Sequence, residues 1–151
     1  MRLVNSIKIV VTLFVTLNFC AVVVPEQKSP GCLAYEPVVV EIKGKIIRKT
    51  YPGPPNYESI KRGDRPEVAW LLVLSEPICM QEDEENPATN IAQTGIREIQ
   101  MVFIEADAYK KYKSFVGSEQ HVIATGTLFG SVTGHHHTFV LITVKSLSKA
   151  A

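Results

Sequence analysis

Apolar and polar positions alternate along most of the chain, and changes in their period mark out the elements. From Val38 to Lys49 (VVVEIKGKIIRK) apolar and charged residues take turns with period two. That is the pattern of a half-buried strand with Val38, Val40, Ile42 and Ile46 turned inward. Gly44 in its middle suits the sharp bend of a strand coiled around a barrel. Val68 to Ile78 (VAWLLVLSEPI) is apolar on both faces and reads as a central strand; Ile96 to Ile104 (IREIQMVFI) is a third. The period then shifts. Ala108, Tyr109, Tyr112, Phe115 and Val116 share one face at helical spacing, with Asp107 in the first turn and Gly117 placed to end the helix. His121 to Phe129 and Phe139 to Val144 are two further strands.

The connections are as distinctive as the strands. Thr50 to Glu67 (TYPGPPNYESIKRGDRPE) is so rich in proline and glycine that neither helix nor ladder can run through it, which makes it an ordered loop. Gln81 to Thr94 is acidic and then polar, and Gly130 to Thr138 (GSVTGHHHT) carries three histidines in a row. The expected fold is mainly β: a small five-stranded OB-like Greek-key barrel with one helix between strands 3 and 4. A five-stranded sandwich with one packed helix is the competing arrangement. A barrel of this order takes its ligands on strands 2 and 3, bordered by the loops joining strands 1–2 and 4–5. The segments 50–67 and 130–138 should therefore meet at one end. The candidate ligand-binding residues there are Tyr51, Asn56, Tyr57, Glu58, Asp64 and His136, with Trp70 on strand two.

The first two dozen residues stand apart from this pattern. Arg2 and Lys8 precede an apolar run from Ile9 to Val24, which a polar PEQK exit closes. That is the build of a secretory signal peptide, expected over residues 1–24 and followed by one domain over 25–151. The run is shorter than the ~20 residues of a bilayer-spanning helix, so no stable membrane span is expected in the mature form. Lipidation at Cys20 and an uncleaved anchor are the alternatives. The expected location is periplasmic or secreted. Loss of Arg2 and Lys8 leaves 14 basic against 15 acidic residues, a net charge of −1. Such a chain has no large positive field for polyphosphate, and nucleic acid is not an expected partner. Trp70 and Phe103, which could stack nucleobases, read more simply as core.

Beyond the leader two cysteines remain, Cys32 and Cys79. In an oxidising compartment an even pair is most simply a disulfide, and two separate buried thiols are the alternative. Several segments, taken in order, are similar to a family of exported bacterial proteins known only as a domain of unknown function. They are Tyr35-Glu36-Pro37, TYPGPPNYESI at 50–60, Gly63-Asp64, Trp70-Leu71-Leu72, Pro77-Ile78-Cys79, GTLF at 126–129 and TGHHHT at 133–138. The resemblance runs from about Cys32 to Val144 and implies export and a Cys32–Cys79 bridge. It implies no activity. Relatives often have histidine at the place of Val132 and proline at the place of Phe139.

The histidines carry the sharpest chemistry. Alternate side chains of an extended segment share a side, so His135 and His137 point together and His136 points away. Two neutral imidazoles make half of a zinc or copper site, with Glu58, Asp64 and Glu67 available to complete it. The other reading has them hydrogen-bonding across a tight turn. The tyrosines of the 50–67 loop offer aromatic faces with polar tips, suited to a cell-envelope glycan, a peptide or a protein partner. Ser59 or Ser131 with a histidine and Asp64 could form a hydrolytic triad, but no nucleophile-elbow motif supports one. The leading expectation is a non-catalytic binding module using both loops; the alternative is a zinc- or copper-binding protein.

Overall fold

The computed structural model describes residues 31–151; the expected signal peptide lies outside them. Five strands close a barrel in the order β1 (Val39–Pro52), β2 (Pro66–Met80), β3 (Gln93–Val102), β5 (Val140–Lys149), β4 (Val122–Gly130) and back to β1. The β3–β5 ladder is parallel and the other four are antiparallel. This is the OB-like arrangement that the strand order predicts, and the sandwich is excluded. A short helix, α1 (Ala108–Tyr112), continues into a 3-10 turn at Lys113–Phe115 and stands between β3 and β4.

Gly44 works as its position suggests. It is paired with Val122 of β4 and also with Leu74 of β2, so β1 passes from one neighbour to the other at this residue. A Cβ here would run into the Val73 carbonyl oxygen, a backbone atom that cannot swing away. Inward residues of alternate parity fill the barrel, among them Ile42, Ile46, Leu72, Ile99, Met101, Leu128 and Ile142. Val38 is not one of them: the strand begins one residue later, and Val38 is half exposed.

The periodicity located the strands but placed their ends short. β1 and β2 extend toward each other and leave only Gly53–Arg65 between them. The extra rungs pair Tyr51 with Glu67 and Pro52 with Pro66. At the other end of β2 the Cys32–Cys79 disulfide is formed. Leu33 lies beside it in a bridge to Met80, its N–H donating to Cys79 O and its carbonyl accepting from Gln81 N–H. Within the 81–92 loop, Asp83 accepts from the side-chain amides of Asn86 and Asn90, and buried Asn90 in turn accepts from Gly130 N–H. The acidic stretch is thus tied back to the barrel.

One seam is short. β3 and β5 pair through Gln100–Leu141, Met101–Ile142 and Val102–Thr143, so among the described residues β3 has no strand on that side from Gln93 to Ile99. Across the seam, Gln100 N–H donates to Thr138 Oγ1.

Candidate functional site

The two unusual loops meet. Gly53–Arg65 is folded around one carboxylate: buried Asp64 accepts N–H bonds from Asn56, Glu58 and Ser59 at 2.9, 2.8 and 2.7 Å. Those bonds, led by the ones from Ser59 and Asn56, hold the Asp64 carboxyl below the usual carboxylate range. Asp64 therefore anchors the loop and is not free to ligate. Glu58 is exposed and paired with Arg62 at 2.8 Å, and Asn56 is exposed, contributing its backbone N–H to the anchor. The anchored loop presents Tyr57 with φ of 58°, a left-handed conformation that a bulky residue adopts only where its surroundings impose it. Gly134 of the opposite loop lies flat beneath it, since a Cβ there would sit 3.0 Å from the Tyr57 ring.

The histidine loop is laced down by a residue that the sequence pattern did not single out. Gln100 lies on the outer face of β3, between Leu71 on one side and Leu141 on the other, and is 8% exposed. Its side-chain amide donates to His135 O at 2.9 Å and accepts from His137 N–H at 2.6 Å. The available signal was a glutamine between Ile99 and Met101 in the otherwise apolar run 99–104: a buried amide needs partners, and unpaired backbone groups are the usual ones.

Held this way, His135 and His137 both turn to Glu67. His135 Nδ1 lies 2.9 and 3.0 Å from the two carboxylate oxygens and its Nε2 lies 2.9 Å from the Tyr57 hydroxyl. In the neutral ring Nδ1–H donates to the carboxylate and Nε2 accepts from the phenol. His137 stacks on Tyr51, with centroids 4.2 Å apart and planes 6° apart. Its Nε2 is buried 3.7 Å from Glu67 Oε1 and has no hydrogen-bond partner among the described residues. An orphaned buried group of this kind costs on the order of 1–3 kcal/mol. Among the described residues, no three His, Cys, Asp or Glu side chains stand as a finished metal-holding set.

The expected divergence of the middle histidine is also present. His136 turns back on its own loop, where Nδ1 accepts from Val132 N–H at 3.0 Å and the ring meets Phe129 edge-on. Burial first, and then the neighbouring His135 and His137, lower its pKa below the ordinary histidine value. The folded state thus favours the neutral ring, and the unfolded chain takes up the proton first as pH falls. The contribution is complete above the unfolded pKa of about 6.5 and declines as pH drops from there toward the folded value. Urea midpoints should accordingly fall between pH 7 and pH 5, and His136→Gln should flatten that slope. An identical slope in the variant would remove His136 as its source.

Trp70 does not join this group. Glu67 and Tyr51 lie on the outer parity of their strands, whereas Trp70 has the inner parity. It packs edge-on against Phe103 and Tyr109 at 5.7 and 5.1 Å and helps seat α1. Of the serines considered for a triad, Ser131 donates its hydroxyl to His136 O at 3.4 Å.

No helix among the described residues is long and apolar enough to cross a membrane. No curated protein and no solved structure matches the chain. The resemblance expected from Cys32 onward is met by a family model only in the last third. Residues 98–148, which carry Gln100 and the three histidines but not Tyr51, Tyr57 or Glu67, match a domain of unknown function, DUF4431.

Proposed function

We propose that the protein is a non-catalytic binding module of the periplasm or secreted space whose recognition surface is the rim made by residues 50–67 and 130–138. One observation carries this reading: the Tyr57–His135–Glu67 chain joins two loops far apart in sequence, with the His135 side chain 57% exposed. A rim ordered before its ligand arrives loses little conformational freedom on binding. Aromatic edges from the tyrosines and polar tips from Glu58, Arg62 and His135 suit a ligand with both apolar faces and hydroxyl or amide groups. Cell-envelope glycans and peptides have that chemistry, as does a protein segment. The apolar leader pattern and the disulfide support an oxidising, extracytoplasmic setting.

Muropeptides released from peptidoglycan present sugar and peptide together and make a suitable probe. Added to the 15N-labelled, tag-free protein, they should shift amides at 51–67 and 131–138. Tyr57→Ala and His135→Ala should each weaken the response by about tenfold or more. Shifts confined to other faces of the barrel, or none at millimolar probe, would show that the rim does not recognise such ligands.

A further inference from the structure

We propose that His135, His137 and Glu67 form a binding site for one divalent cation of the zinc or copper class. This goes beyond the contact role of the rim and does not depend on it. The His137 side chain is only 8% exposed, and its Nε2, facing Glu67, has no partner among the described residues. In the tautomer that carries its proton on Nδ1, this nitrogen offers a lone pair beside a carboxylate, and with the His135 imidazole on the same carboxylate the site has the two kinds of donor that such ions take.

The spacing fits. A tetrahedral ion with bonds of about 2.0–2.1 Å keeps neighbouring donors about 3.3 Å apart. The Glu67 oxygens lie 2.9 Å from His135 Nδ1 and 3.7 Å from His137 Nε2, on either side of that value. Among the described residues no three such side chains stand as a metal-holding set as they are, so the ion has to draw these three together. His135 Nδ1 releases to solvent the proton it shares with Glu67, and His137 and the carboxylate close by a few tenths of an ångström. Both rings are already oriented, His137 by its stack on Tyr51 and His135 by Tyr57. With the ion on Nδ1, His135 carries its remaining proton on Nε2 and donates it to the Tyr57 oxygen, a supporting bond of the kind that fixes metal-bound histidines. The other nearby groups are committed: Asp64 to backbone amides, Glu58 to Arg62 and His136 Nδ1 to Val132 N–H. Three protein donors leave a fourth position for water or for an oxygen or nitrogen of a bound partner.

Calorimetric titration of the tag-free full chain with Zn2+ and with Cu2+ tests the site. One ion per chain at micromolar or tighter affinity is expected for at least one metal. His135→Ala, His137→Ala and Glu67→Gln should each weaken it by about 100-fold, and Tyr57→Phe by about tenfold. His121→Ala, at the opposite end of β4 from the histidine loop, should leave the affinity unchanged. Because the ligand variants also perturb the loop, histidine ring 15N spectra of the unaltered protein supply a second measurement. The ion should move His135 Nδ1 and His137 Nε2 and shift the His135 proton to Nε2. Absence of binding below about 100 µM, or binding that leaves both rings unmoved, overturns the site. The muropeptide response of metal-free protein reads the rim separately, so either proposal can fail alone.

Discussion

Removal of the Cys32–Cys79 bridge should lower stability by about 4 kcal/mol while leaving the barrel folded. The bond closes a loop of 47 residues, and the entropy that this withholds from the unfolded chain gives that figure. The native contacts around it do not need the covalent link. Leu33 hydrogen-bonds to Cys79 and Gln81, Tyr35 is 3% exposed, and its hydroxyl donates to Ile91 O at 2.8 Å. The loss therefore acts mainly through the unfolded state, and a Cys32→Ser/Cys79→Ser protein should keep its far-UV and near-UV circular dichroism. Its melting temperature should fall by about 15 °C. Reductant should lower the parent protein to the same level and leave the double variant unmoved. Equal melting temperatures with and without the bridge would mean that the reduced chain retains the closure in its unfolded ensemble.

The second large effect is expected at Gln100. Replacing it by leucine keeps the volume but removes the acceptor for His137 N–H and the donor to His135 O. Two backbone groups in a poorly hydrated place would lose their partners, at a cost of about 3 kcal/mol. Gln100→Glu retains the acceptor and loses the donor, so it should fall between parent and leucine variant. Urea denaturation gives the energies, and exchange of the His137 amide reports the local release. A leucine variant within 1 kcal/mol of the parent would show that water satisfies both groups. The same substitution should free the imidazoles from Glu67, so muropeptide and metal affinity should drop with it.

Sequence pattern went far on the architecture and less far on the site. The period-two run around Val40, the apolar runs around Leu72 and Ile142 and the helical run from Ala108 were enough to order the elements, and strand order alone brings the two loops together. The His135/His137 parity was legible for the same reason: alternation needs no tertiary knowledge. What failed was parity on a strand apolar on both faces. In VAWLLVLSEPI nothing distinguishes inside from outside, and Trp70 went to the inner face because Glu67 and Tyr51 took the outer one. Asp64 could not be told from a ligand by its type, since its role depends on three amides of its own loop. Gln100 was hidden for a related reason, because its partners lie 35 and 37 residues away.

The brief parallel seam between β3 and β5 gives the histidine loop a mechanical meaning. Three rungs make the weakest join in the wall, and Gln100 with Thr138 fastens the loop across it like a clasp. Breathing of the wall and loosening of the loop are then coupled, because the same glutamine serves both. Whatever grips the loop also braces the seam, and whatever prises the seam open scatters the imidazoles.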